Sequence, residues 1–128
     1  MSAGSRVSFI VPAFNEAATI AAVLERVEAL ELEKQVVVVD DGSTDGTQAV
    51  LEQWAGRNGL VVLRQENRGK GAAIRAAIPL LDGDITVIQD ADMEYDPAEV
   101  PALIDPIERP NVFRVAPTDH GMAFRREP

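Results

Sequence analysis

Cysteine is absent from this 128-residue chain, which excludes disulfides and any thiolate metal site. Histidine occurs once, at His120, and reads as a surface residue. No Ser/His/Asp set can be assembled and no Gly-x-Ser-x-Gly elbow is present, so the residues show no nucleophile with its base. Aromatics are few, at 5%. Positive charge is scarce as well: 12 Lys and Arg stand against 21 Asp and Glu, for a net charge of −9. That balance argues against a nucleic-acid backbone as partner. It leaves a nucleotide open, because a bound metal inverts the local sign. No apolar stretch approaches the roughly 20 residues needed to cross a bilayer. Met1 to Arg6 is short and polar, unlike a signal peptide, so a cytoplasmic location is expected. Internal repeats and low-complexity linkers are also missing.

What is there is a soluble globular composition, 46% hydrophobic and 26% charged. The length suits one domain that buries about two-thirds of its unfolded surface. Short β-branched runs alternate with helical stretches. Strands are expected at Val7 to Val11, Val36 to Val39, Leu60 to Leu63 and Ile85 to Ile88. Helices are expected at Ala17 to Leu30, capped by Asn15, at Thr47 to Ala55, at Gly71 to Ile78 and at Ala98 to Ile104. The four valines from Val36 are apolar on both faces, as in a buried parallel strand, and at roughly 1.5–3 kcal/mol each they place that strand at the sheet centre. This β-α-β-α order implies an α/β fold: a Rossmann-like parallel sheet with helices on both faces. Composition shifts after Ile107. The stretch from Glu108 holds Pro110, Pro117 and Pro128 and lacks periodicity, so an irregular tail is expected over 108–128.

Ligands of such sheets bind at the carboxyl ends of the strands, where three segments fall. Asp90-Ala91-Asp92 ends the fourth strand. Two carboxylates so close repel one another unless a cation sits between them, and hard divalent metals are held by carboxylate oxygens. Five acids lie between Asp84 and Asp96, Glu94 among them. The plainer reading is helix caps or solvated charges. Asp40 to Thr47 reads equally as a strand-to-helix turn or as a carboxylate that accepts from a base or ribose. Its spacing also fits a calcium loop, with Asp41, Ser43, Asp45, Gly46 and Glu52, but an EF-hand needs a helix where Val36 to Val39 is strand. Pro12 to Glu16 is a bend and cap, or a place where Phe14 lies against a base and Glu16 accepts from its ring N–H. Asn67-Arg68-Gly69-Lys70-Gly71 is a turn with solvated cations, or a helix N-terminus with cations facing a phosphate; it is not a Walker loop.

Four pieces, VPAFNEAATI, VVVVDDGSTDGT, NRGKGAAIRAAI and ITVIQDADMEYDP, occur in an order and spacing that resembles the nucleotide-sugar-binding half of glycosyltransferase family 2, the GT-A fold. The likeness is greatest to its polyprenyl-phosphate (dolichol-phosphate) mannosyl- and glucosyltransferase branch. It covers residue 7 to about residue 107, so residues 1–107 are expected to form the nucleotide-diphospho-sugar-binding domain. The resemblance implies that Pro12, Phe14 and Glu16 border the nucleobase, with Phe14 where that branch often has tyrosine. It implies that Asp40 or Asp41 holds base or ribose, and that Arg68 and Lys70 lie near the donor phosphates. Asp90 and Ala91 would border the nucleotide. Asp90 and Asp92 would hold Mg²⁺ or Mn²⁺, with Glu94 on the metal side where relatives often have glutamine.

The implied reaction is metal-dependent, inverting transfer of a sugar from a UDP- or GDP-sugar to a polyprenyl phosphate or a sugar hydroxyl, by a protein peripheral to the membrane. No catalytic base is identified. The stretch Glu108 to Pro128 departs from the family pattern, and the expectation is a chain truncated to the N-terminal half or ended by a shifted reading frame. A catalytically silent donor-binding or interaction module is the alternative. A nucleotidyltransferase is a further one, disfavoured because Pro12 to Glu16 is not glycine-rich. An open sheet edge makes a homo-oligomer an expectation as well.

Overall fold

A computed structural model of the chain describes residues 6–92, 97–99, 115–118 and 121–125. Its elements in chain order are β1 (Val7–Ala13), α1 (Ile20–Glu28), β2 (Lys34–Asp40), α2 (Thr47–Trp54), β3 (Val61–Arg64), α3 (Lys70–Ala77), β4 (Ile85–Ile88), β5 (Val115–Thr118) and β6 (Gly121–Arg125). Short 3₁₀ turns lie at Arg57–Gly59, Ile78–Leu80 and Pro97–Glu99.

The six strands form one sheet in the order β3-β2-β1-β4-β6-β5. The first four are parallel, as the alternating pattern predicts. β6 then pairs antiparallel with β4, and β5 antiparallel with β6. The segment expected to be irregular thus contributes a hairpin that continues the sheet. β5 carries Pro117, which lacks an N–H for the ladder, and edge strands are where a sheet tolerates it.

The two middle strands are β1 and β4, and β1 is buried over all seven residues. β2, expected at the centre, lies one place over, paired on both sides and buried from Val37 to Asp40. Alternation along the strands splits the core in two. Val7, Phe9 and Val11 of β1, with Val38 and Val87, face Ile20, Val23, Leu24 and Val27 of α1 and Leu51 and Trp54 of α2. Ile10, Val37 and Val39 face Ala73 and Ala77 of α3 on the opposite side. Small residues there let α3 lie close to the sheet.

Several boundaries differ from expectation for local reasons. α1 begins at Ile20 and not Ala17, because the carbonyl of Glu16 accepts from both Thr19 and Ile20 in a preceding turn. Asn15 is therefore not its cap. α3 ends at Ala77, and Pro79 sits in the 3₁₀ turn that follows. Of the helix expected over 98–104, only the turn Pro97–Glu99 falls within the described residues. Glu94 and His120 lie outside them.

The topology fixes where a ligand can sit. α1 leads from β1 to β2 over one face, whereas α3 leads from β3 to β4 over the other. The chain therefore diverges between β1 and β4, leaving a crevice beyond their carboxyl ends.

Candidate functional site

An open cavity of about 340 Å³ occupies that crevice, lined by Pro12, Ala13, Phe14, Glu16, Asp41, Lys70, Asp90, Ala91 and Asp92. It draws on the ends of β1, β2 and β4 and on the start of α3. Of the residues expected at the site, Pro12, Phe14, Glu16, Asp41, Lys70, Asp90, Ala91 and Asp92 are all brought together here. Asp40 is not.

Asp40 is the last residue of β2 and Asp41 lies just past it, and only Asp41 turns to the crevice. Asp40 is buried and engaged elsewhere. Its Oδ2 accepts from Arg64 Nη1 at 2.8 Å across the β2–β3 pair, and its Oδ1 accepts from the Ser43 backbone N–H at 2.9 Å. Asp41 lines the cavity and organises the loop that follows β3. Its Oδ1 accepts from Gln65 Nε2 and from the Arg68 N–H, both at 2.8 Å, and its Oδ2 accepts from the Gly69 N–H at 3.0 Å. Burial pushes this carboxyl up, but the three hydrogen bonds outweigh burial and hold it below the usual aspartate range.

Two loops form one wall of the cavity, and they are joined through side chains. The backbone of Asn15 is left-handed, with φ 54°, a region that asparagine tolerates better than most residues. Its amide oxygen accepts from the Thr44 N–H at 2.8 Å and the Asp45 N–H at 3.3 Å. In return, Ser43 Oγ accepts from the Asn15 N–H and Thr47 Oγ1 from the Glu16 N–H, both at 2.9 Å. The Asp45 carboxylate takes the Ala17 N–H and both the N–H and hydroxyl of Thr47. The bonds from Thr47 come first among the causes that lower the Asp45 carboxyl. Asn15, Ser43, Asp45 and Thr47 thereby fix the segment that presents Phe14 and Glu16. Sequence reasoning missed them as a set; Thr47 showed as a turn or cap residue, and Ser43 and Asp45 as that or as part of the rejected calcium-loop spacing.

Gly42 serves the same end. Its φ is 76°, and a Cβ there would lie 2.7 Å from the backbone nitrogen of Asn67. The loop after β2 can approach the loop after β3 only because that carbon is missing.

The acid pair sits opposite. Thr19 Oγ1 donates to the carbonyl of Ala91 at 2.6 Å, tying the start of α1 to the Asp90–Asp92 segment. Lys70 Nζ forms an ion pair with Asp90 Oδ1. Partial burial raises the Glu16 carboxyl, and the charge of Asp92 raises it further. Thr19, 3.4 Å from Glu16 Oε2, opposes this weakly, while Asp45 and Asp90 add to it. Glu16 thus lies within the field of Asp92 and Asp90.

Carboxylate oxygens suit a hard divalent ion. Among the described residues no group of three or more acidic or histidine side chains is placed to enclose a metal. Asp90 and Asp92 bring carboxylate oxygens to the cavity without by themselves forming such a group. Phe14 is 44% exposed and lines the cavity.

The sequence model of glycosyl transferase family 2 matches residues 8–126, and the chain belongs to that family. It is similar to the dodecaprenyl-phosphate galacturonate synthase of Rhizobium johnstonii, at 35% identity over 109 residues, covering 80% of this chain and 32% of that protein. It is also similar to the undecaprenyl-phosphate 4-deoxy-4-formamido-L-arabinose transferase of Pseudomonas aeruginosa strain LESB58. There the identity is 38% over 106 residues, covering 77% of this chain and 31% of that protein. The chain spans 32% and 31% of these two curated relatives, about a third of their length.

Among solved structures, the mannosyltransferase PcManGT from Pyrobaculum calidifontis, in complex with GDP-Man and Mn²⁺, matches with a TM-score of 0.80 and 28% identity. That match covers 95% of this chain and 45% of PcManGT. S. aureus TarS 1–349 in complex with UDP-GlcNAc matches with a TM-score of 0.64 and 27% identity, over 80% of this chain and 32% of that chain. The fold is that of the GT-A glycosyltransferases.

Proposed function

We propose that this chain is the donor-binding part of a metal-dependent, inverting glycosyltransferase that takes a sugar from a UDP- or GDP-sugar and delivers it to a polyprenyl phosphate. The observation that carries the reading is the cavity at the β1/β4 divergence, which Phe14 and Asp41 line together with Asp90, Asp92 and Lys70. An aromatic face and a structured carboxylate suit a nucleoside. A carboxylate pair beside a cation suits a metal and a diphosphate. The neighbours solved with GDP-Man and Mn²⁺ or with UDP-GlcNAc support the same donor class.

In this reading Phe14 packs on the base, and Asp41 Oδ2, which accepts one hydrogen bond within the chain, accepts a second from base or ribose. The loop stitching around Asn15 keeps both from rearranging on binding. Asp90 and Asp92 would hold Mg²⁺ or Mn²⁺, which when bound would supply positive charge beside the leaving nucleoside diphosphate. Glu94, outside the described residues, is proposed on the metal side with them. The acceptor phosphate, with a second pKa of about 6, is largely ionised at neutral pH and needs no general base. Its oxygen bonds to the anomeric carbon as the bond from that carbon to the diphosphate oxygen breaks, and the diphosphate leaves with the electron pair. Attack from the face opposite the leaving group inverts the centre. Among the described residues no helix is long and apolar enough to cross a membrane. A lipid acceptor would be met at the membrane surface.

Thermal melts with Mn²⁺ and GDP, UDP or their sugars test this. A ligand at 100 times its Kd stabilises by about 2.7 kcal/mol, roughly 10 °C for a chain of this size. The rise should disappear in Asp92→Asn. No rise with any of these nucleotides in the presence of metal would sink the proposal.

A further inference from the structure

The cavity wall carries four carboxylates, Glu16, Asp41, Asp90 and Asp92, and among the described residues one cation, Lys70. That cation is already committed: its ammonium lies on Oδ1 of Asp90. An oxygen assigned above to a divalent ion is thus covered by a positive group of the chain itself. The two cannot hold the same oxygen without strong like-charge repulsion at contact distance.

The backbone beneath Lys70 is fixed while its side chain is not. Lys70 opens α3, and the two N–H groups just before it, from Arg68 and Gly69, are both bound by Asp41. The side chain itself is 56% exposed and ends in a flexible four-carbon stem. The ammonium can therefore swing about an anchored base within the cavity.

We propose that Lys70 is an exchangeable counter-cation. Without ligand it neutralises Asp90; when a nucleoside diphosphate and a divalent ion bind, the ion takes Asp90 and the ammonium moves to the diphosphate. The inference rests on the donor-binding reading above and adds a coupling to it. The ion displaces the ammonium that covers its ligand, and the displaced ammonium becomes a phosphate contact. Each ligand thereby tightens the other by the same factor. A fixed phosphate-binding lysine gives no such dependence.

The test uses the full 128-residue chain. Free Mn²⁺ is read by electron paramagnetic resonance, and GDP and UDP binding by equilibrium dialysis with and without Mn²⁺. With nucleotide absent, Lys70→Met should bind Mn²⁺ about two- to fivefold more tightly, the scale of losing a half-exposed ion pair. With Mn²⁺ saturating, it should bind the better of the two nucleotides about tenfold more weakly, the scale of a charge-assisted phosphate contact. Without Mn²⁺, variant and parent should bind that nucleotide within about twofold, because the ammonium is still held by Asp90. Lys70→Gln should repeat the pattern, and Lys70→Arg should follow the parent. An equal loss of nucleotide affinity with and without Mn²⁺ overturns the exchange and leaves donor binding standing. Absence of nucleotide binding by the parent in both conditions overturns both.

Discussion

Asn15 illustrates how a residue can matter through its backbone as much as through its side chain. It combines a left-handed φ of 54° with an amide oxygen shared by two N–H groups of the neighbouring loop. Asn15→Gly removes the amide but keeps the conformation accessible. Asn15→Ala removes the amide and also pays the left-handed penalty of roughly 1–2 kcal/mol. Urea denaturation should therefore rank the parent above Asn15→Gly and Asn15→Ala lowest, with about 1–3 kcal/mol between parent and alanine. An alanine variant more stable than the glycine variant would refute this account of the loop. None of it was legible in the sequence, where Asn15 followed by an apolar helical stretch reads as a cap. The partners of Asn15, at Thr44 and Asp45, are distant in sequence and are brought near by the parallel pairing of β1 with β2. The ambiguity between Asp40 and Asp41 has a similar origin. Two adjacent aspartates past a run of valines read alike, and only the approach of Arg64 from β3 says which one is withdrawn into an ion pair.

Among the elements, strands and helices with a strong period were legible, since burial of β-branched runs and of one helix face is what forms them. Ile20, Val23, Leu24 and Val27 are buried on α1 as their spacing requires. The hairpin of β5 and β6 was not legible. Each strand is short, Pro117 argues against a strand, and the pairing that stabilises them comes from β4, far back in the chain. The connections between elements carry the site, and the contact of Gly42 with the Asn67 backbone sets how two of them meet. Gly42→Ala adds a carbon where the nearest backbone atom stands at 2.7 Å and φ is 76°. We expect a loss of about 2–3 kcal/mol in denaturant melts, on the scale of left-handed strain plus overpacking. Nucleotide-dependent stabilisation should weaken too, because Asp41 and the 67–69 loop that it organises are pushed apart. Unchanged stability would show that the loops separate without cost.

For the molecule as a whole, the acid side of the stability profile follows from Asp41 and Asp45. Both carboxyls are held below their ordinary value by hydrogen bonds in the folded state. The unfolded chain then binds protons more readily. Their contribution is complete above the ordinary aspartate value of about 3.9 and is lost as pH falls through the lower folded values. Glu16 acts with the opposite sign: its raised folded value favours the folded state at low pH and loses that effect as pH rises through it. Urea midpoints taken from pH 6 down to 2.5 should fall less steeply below about pH 4 in Asp41→Asn/Asp45→Asn than in the parent. Parallel curves would remove these two groups as the cause.

The antiparallel partner of β4 has a consequence for the order in which the molecule is made. β1, β2, β3 and β4 are all synthesised before residues 121–125, so the strand leading to Asp90 first exists as an open edge beside β1. An exposed strand edge is a template for pairing with other chains, and vectorial synthesis prolongs that exposure. β6 closes it late, which makes the acid pair the part of the crevice whose supporting strand acquires its second neighbour last.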